Sequence, residues 1–225
     1  MLHVFALCLV AEGLFMLLPA LVDSGRDESE ATVFLGAAAI AAFVGGALAL
    51  TTRQHRMPLS LRQTFLLTPL CWYGLPVFGA LPFMFGETDL SFTDAYFETV
   101  SGFTTTGSTV IVGLDRLGSG LLLWRGLLQA QGGIGFIVIA LAVLPVLRVG
   151  GMQIMRTESS DRSEKVLPRA SQIAAVTTAT YVALAVVAGI AFWAAGMTPL
   201  EATLHAFSSI STGGFSTSDL SLGKF

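Results

Sequence analysis

The chain has 225 residues, of which 53% are hydrophobic and only 12% charged, with a net charge of −3 and a mean hydropathy of +0.74. A soluble domain has to cover itself with charged and polar side chains, so this composition excludes a soluble globular fold and points to an integral membrane protein. The few charges are not scattered but fall in the gaps between apolar blocks.

Five blocks of about twenty residues, at 2–22, 31–51, 63–85, 120–147 and 173–195, are long enough to cross a hydrocarbon core of roughly 30 Å as helices. The first is read as a retained helix rather than a signal peptide, since no Lys or Arg precedes it, Glu12 interrupts it and no small-residue cleavage site follows. Glu12 could pair with another span, and a packing role is expected for it ahead of an ion site. The fourth block is longer than a span requires and is expected to tilt. Arg125, near its outer start, is expected to snorkel to the interface and anchor the helix there. Within the same block, Gly132-Gly133-Ile134-Gly135 follows no strand and is no dinucleotide fingerprint. Close helix packing explains it.

Basic residues set the orientation. Arg53, Arg56 and Arg62 lie between blocks two and three, and Arg148, Arg156, Arg162, Lys165 and Arg169 between four and five. The positive-inside rule places both sets in the cytoplasm. The opposite gaps carry Asp23, Asp27, Glu28, Glu30, Glu87, Asp89, Asp94, Glu98, Asp115, Glu201 and Asp219. An acidic outer face attracts cations, although a solvated loop accounts for any single carboxylate among them. Cys8 and Cys71 both fall inside apolar blocks, and no exposed second thiol is placed to pair with either. His3, His55 and His205 are far apart, so neither a disulfide framework nor a metal site is expected.

The outer gaps contain a repeat. Residues 91–109 align with 198–216 at one constant offset, matching Ser91 to Thr198, Asp94 to Glu201, Ala95 to Ala202, Ser101 to Ser208 and Gly107 to Gly214. Each copy opens with a hydroxyl N-cap and an acid three residues on, the second with proline at the first helical position. The predicted helices, Thr93 to Gly102 and Pro199 to Ser209, have about ten residues each, too few to span a bilayer. Each is expected to dip in and return. The chain then turns polar and extended, over Thr104 to Thr109 and Ser211 to Ser216. Irregular backbone at membrane depth is tolerated only where protein buries it or water lies beside it. Such a segment can offer carbonyl oxygens to a monovalent cation, with the negative end of the short helix aimed at the same point. One such run alone reads as a polar outer loop; a second copy, similarly capped and similarly placed, favours an ion-selectivity filter.

These motifs, "ETVSGFTTTGSTVI", "HAFSSISTGGFSTSDL", "LLWRGLLQAQGGIGFIVIALAVLPVL" and "GGMQIMRTESS", resemble the Trk/Ktr/HKT superfamily of potassium transporters, in its TrkH branch, over essentially the whole chain. The resemblance implies an all-α integral membrane fold with a leading transmembrane hairpin (1–56), a first span–pore loop–span unit (57–148), and a cytoplasmic link, first span and pore loop of a second unit (149–225). Two further units of the family are missing, so a fragment of a longer protein is expected. "QAQGG" at 129–133 departs from the aromatic-containing family version and is taken as a packing change.

Carried over by motif, Thr105, Thr106, Gly107 and Ser108 would bind the ion in the first filter and Thr212, Gly213, Gly214 and Phe215 in the second. Potassium would sit at Thr106, Gly107, Gly213 and Gly214. Glu98 and His205, at equivalent places on the two short helices, would hold the filters by hydrogen bonds or feel the passing ion. Phe97, Phe103 and Phe207 would pack behind the filters. The implied function is potassium uptake through the inner membrane of a bacterial cell, pore loops outward, by a homodimer in contact with lipid and with a cytoplasmic TrkA-type nucleotide-binding subunit. A sodium-selective or non-selective member of the superfamily and a non-conducting fragment are the alternatives. No cofactor belongs to this chain, nothing points to nucleic acid, and no catalytic set lies at matching membrane depth, so it is not read as an enzyme.

Overall fold

A computed structural model of the chain describes residues 1–25, 28–53, 60–147 and 166–225, and the regular elements among them are all helical. In chain order they are α1 (Leu2–Asp23), α2 (Glu28–Thr52), α3 (Leu61–Gly79), α4 (Leu81–Phe85), α5 (Phe92–Phe103), α6 (Ser119–Leu147), α7 (Val166–Ala194) and α8 (Pro199–Ile210). Among the described residues four spans, Leu2–Asp23, Glu28–Thr52, Arg62–Phe85 and Ala174–Ala194, are long and apolar enough to cross a membrane. The 29 residues of α6 correspond to about 43 Å at 1.5 Å per residue. The third block is not one uninterrupted helix. It carries Pro69 and Pro76 and passes through Ala80 into α4, where Pro82 lies in the first turn. Proline lacks the N–H that a helical hydrogen bond requires. Arg56, Arg148, Arg156, Arg162, Lys165 and the "GGMQ" motif lie outside the described residues.

The first two helices pair closely because small residues face each other. A Cβ on Gly13 would come within 2.9 Å of the Ala38 carbonyl, and one on Gly45 within 2.9 Å of the Ala6 carbonyl, the spacing that small residues permit between membrane helices. His3 Nδ1 and Thr52 Oγ1, 3.2 Å apart, join the ends of the pair. The hairpin docks on the rest through both helices, mainly α1. Asp23, at the end of α1, accepts a hydrogen bond from the Gly120 N–H in the first turn of α6 at 2.9 Å. There a carboxylate meets both an orphan donor and the positive end of the helix dipole. Trp124 Nε1 on α6 donates to the Gly79 carbonyl at 2.9 Å, and its ring meets Phe34 edge-on.

Glu12 is 1% exposed, and neither carboxyl oxygen has a hydrogen-bond partner among the described residues. The pairing considered for it is absent there; Oε1 lies against Gly79. The cysteines do not stand apart as their separation in sequence suggests. Cys8 on α1 and Cys71 on α3 are free thiols that come together where the two helices pack. Helix packing joined what sequence distance had separated.

Candidate functional site: two equivalent loops and the helix between them

The repeat recurs in helix length, N-cap and backbone turn. Helices α5 and α8 each have 12 residues, and their ends fall at the same offset of 107 residues. Ser91 Oγ accepts from the Asp94 N–H at 3.2 Å, and Thr198 Oγ1 from the Glu201 N–H at 3.4 Å. The second cap is a full capping box, because Glu201 also accepts from the Thr198 N–H at 3.0 Å.

After each helix the chain turns in the same way. The Thr106 N–H donates to the Ser101 carbonyl at 2.9 Å and the Gly213 N–H to the Ser208 carbonyl at 2.8 Å. Thr105 and Thr212 take φ of 56° and 55°, Gly107 and Gly214 φ of 77° and 101°. Positive φ is costly for a threonine and cheap for glycine. The same strained residue at both positions shows that the turn is imposed by its surroundings rather than by local preference. The Gly107 backbone lies directly against the Gly213 carbonyl, leaving no room for a side chain there. Thr106 and Ser108 are exposed, as are Thr212 and Gly214. Thr105 and Gly107 are half-buried, and Gly213 and Phe215 are buried. The eight residues singled out in sequence therefore form two facing turns.

Behind the turns, equivalent positions do equivalent work with different chemistry. Glu98 accepts from Thr109 Oγ1 at 2.9 Å and from the Val110 N–H at 3.0 Å. His205, at the matching place, meets the Glu201 carbonyl through Nδ1 at 2.8 Å and Ser216 Oγ through Nε2 at 3.2 Å. A carbonyl can only accept, so Nδ1 carries the proton and Nε2 accepts from the serine. Both side chains thus tie a short helix to the strand-like segment beyond its turn.

Arg125 is not an interfacial anchor. It is 1% exposed, its Nε is 2.9 Å from Glu98 Oε1, and its NH1 donates to the Ser216 carbonyl at 2.9 Å. The guanidinium carbon lies 4.1 Å from the centre of the Phe215 ring. A carboxylate, a carbonyl and an aromatic face together surround the cation and offset part of the cost of burying it, while Nη2 has no hydrogen-bond partner among the described residues. One side chain thereby joins the first short helix to the second turn.

The rest of that α6 face continues along the second turn. Gln129 is fully buried, with its side-chain amide against Gly213. Gly133 packs on Ser211, whose hydroxyl donates to the Gln129 carbonyl at 2.9 Å and shares a 2.6 Å hydrogen bond with Tyr181 of α7. Gly132 meets the Phe103 carbonyl at the end of α5 without room for a Cβ, so the glycines serve close packing as their sequence suggested. Arg125, Gln129 and Gly133 recur every fourth residue on a largely apolar helix, which was the available signal that this face meets something polar. Of the phenylalanines expected behind the turns, Phe103 is buried and Phe207 packs on the core. Phe97 is 45% exposed on the opposite face of α5.

Beyond the turns, carboxylates lock the two loops together. Asp219 accepts from the Gly113 and Leu114 N–H groups at 2.8 and 3.1 Å, while Asp115 accepts from Ser218 Oγ at 2.9 Å and pairs with Lys224 at 3.2 Å. Ser218 above all, then Lys224, holds the Asp115 carboxyl below its ordinary value. Burial pushes Glu201 up, but the Thr198 hydrogen bonds and Lys224 outweigh it and leave the group low. Glu201 and Asp115 in turn raise Lys224. Several of the acids beyond the turns are thus structural ties rather than free surface charge. Among the described residues no cluster of His, Cys, Asp and Glu could hold a metal ion.

Apolar helices of spanning length and an internal repeat of capped helix and left-handed turn define an all-helical integral membrane protein with two equivalent loops. The TrkH family model, described as a cation transport protein, matches residues 30–225, and the chain belongs to that family. Among curated proteins it is 43% identical to the Trk system potassium uptake protein TrkI of Halomonas elongata, covering 100% of this chain and 46% of that one. It is 41% identical to TrkH of Escherichia coli K12, covering 93% of this chain and 44% of the relative. The crystal structure of the potassium transporter TrkH from Vibrio parahaemolyticus superposes with a TM-score of 0.85 at 38% identity, covering 100% of this chain and 45% of that one. The chain therefore spans a little under half the length of these relatives.

Proposed function

We propose that this chain contributes two of the segments that select the ion in a potassium-uptake transporter, residues 104–109 and 211–216 being consecutive filter segments. The observation that carries this reading is the backbone identity of the two turns, with positive φ at Thr105 and Thr212 and at Gly107 and Gly214. Two unrelated surface loops have no reason to share it. Main-chain carbonyls in such turns can replace the hydration shell of a monovalent ion. The aligned dipoles of α5 and α8 place partial negative charge at the same point. Potassium would be held at Thr106, Gly107, Gly213 and Gly214, with Thr105, Ser108, Thr212 and Phe215 completing the two segments.

Three relatives bearing the name of potassium uptake or transport proteins support potassium as the ion. On this reading the domain plan is a leading hairpin at 1–56, one complete unit at 57–148 and part of a second at 149–225. Further units outside this chain would close the pore. The whole protein would be a homodimer in the bacterial inner membrane, with the loops outward and a TrkA-type regulatory subunit on the cytoplasmic side. Inward movement of the ion would be driven by the membrane potential, which is worth about 2.3 kcal/mol per charge at 100 mV.

The test is rubidium and potassium uptake in cells lacking their own potassium transport, with the full-length protein and its Gly107→Ser variant. Uptake by the parent, with loss of uptake or of preference over sodium in the variant, supports the reading. Flux indifferent to residue 107 returns both turns to the outer surface.

A further inference from the structure

Gln129 has a fully buried side chain, yet neither Nε2 nor Oε1 has a hydrogen-bond partner among the described residues. Buried amides are almost always paired, because an unpaired one destabilises the fold. Its position explains why it is there. The amide occupies the space that a Cβ on Gly213 would need, with Oε1 2.8 Å from that point. On its other side the Gly213 carbonyl faces Gly107.

Among the described residues the peptide that carries this carbonyl is held by one hydrogen bond. The Gly214 N–H donates to Ser208 Oγ at 3.0 Å, and since N–H and C=O point opposite ways across a trans peptide, that bond keeps the Gly213 carbonyl turned toward Gly107. Glycine stands on both sides of the bond, and a Cβ at Gly214 would meet nothing within 4 Å. No side chain on either residue therefore opposes a turn of this peptide. Turning would break the bond to Ser208 and bring the carbonyl to the amide of Gln129, which has a donor to spare. One neutral hydrogen bond replaces another, so the two arrangements lie close in energy. The first loop has no such freedom, because Thr106 stands where the second has Gly213.

We propose that Gln129 is a positioning residue for the second loop, receiving the Gly213 carbonyl in an alternative arrangement that withdraws this oxygen from the ion. The inference rests on the filter reading above. Population of the withdrawn form lowers apparent ion affinity in proportion to the time spent there. Gln129→Met keeps shape and volume and removes the acceptor's alternative. Ser208→Ala loosens the ion-facing form.

The experiment measures rubidium uptake kinetics and thermal stability for the full-length protein carrying Gln129→Met, Ser208→Ala, both together, and Gly107→Ser as reference. The expected result is a KM for rubidium lowered about threefold or more by Gln129→Met without loss of stability. Ser208→Ala should raise KM, and by much less when Gln129→Met is already present, a coupling that mere packing would not produce. KM within twofold of the parent in Gln129→Met, or additive effects of the two changes, overturns the proposal while Gly107→Ser still abolishes selective uptake. If Gly107→Ser changes nothing, the filter reading itself has failed. A lowered melting temperature in both Gln129→Met and Gln129→Leu would make the amide a packing element and overturn the proposal as well.

Discussion

Arg125 on α6 and Glu98 on α5 form an ion pair at 2.9 Å with side chains 2% and 0% exposed. The same guanidinium reaches the Ser216 carbonyl. Among the described residues this is the only ion pair with both side chains buried, and its arginine carries the connection from the first short helix on to the second turn. Removing one partner leaves the other charge buried without compensation, a loss of about 3–5 kcal/mol. Arg125→Met and Glu98→Gln are each expected to lower the melting temperature of the purified full-length protein sharply. The double variant Arg125→Met with Glu98→Leu should recover part of the loss, and a double variant no better than the worse single one would show that the pair is not the unit at work.

Two glycines on α6 separate tight packing from helix propensity. Gly132 has no room for a Cβ beside the Phe103 carbonyl, whereas a Cβ on Gly135 meets nothing within 4 Å. Gly132→Ala should destabilise by about 1–3 kcal/mol or more, because backbone has to move. Gly135→Ala should be neutral or stabilise by up to about 1 kcal/mol, as alanine is the better helix former. Melting temperatures of the two variants, compared side by side, check the contrast.

The caps of α5 and α8 make a matched pair. Ser91→Ala and Thr198→Ala each remove an oxygen that accepts from the third N–H of its helix, and each should cost about 1 kcal/mol. Hydrogen exchange over the first turn of each helix should rise in the corresponding variant alone.

The ties of Asp115, Glu201 and Lys224 should respond to pH in a defined direction. Asp115 and Glu201 are held low, so their contribution is complete above the ordinary carboxylate range, about pH 4, and is lost as pH falls through their lower folded values. Lys224 is held high, so its contribution is complete below about pH 10.4 and is lost only as pH rises beyond that. Exchange of the amides at 113–118 and 216–224 should therefore be flat through neutrality and increase, beyond its intrinsic pH dependence, only below about pH 4. Asp115→Asn should bring that loosening to neutral pH.

Much of the molecule was legible in the residues themselves, wherever the causes are local. Unbroken apolar runs require spanning helices, so their positions could be read to within a few residues except where Pro76 and Pro82 break the third block and where the fifth begins at Val166. A hydroxyl with an acid three residues on caps a helix whatever surrounds it, and both short helices lie where that signature put them. Glycine, repeated at 107 and 214, marked a turn that needs positive φ. Residues whose role depends on a partner far along the chain could not be read in this way. Arg125 looked like an interfacial anchor because Glu98 is 27 positions away and the Ser216 carbonyl 91, and nothing local announces either. Cys8 and Cys71 looked solitary for the same reason, and Gln129 looked like a packing change until α6 was laid along the second turn. A buried polar group takes its meaning from what closes around it, and which groups close around it is settled by how the helices pack.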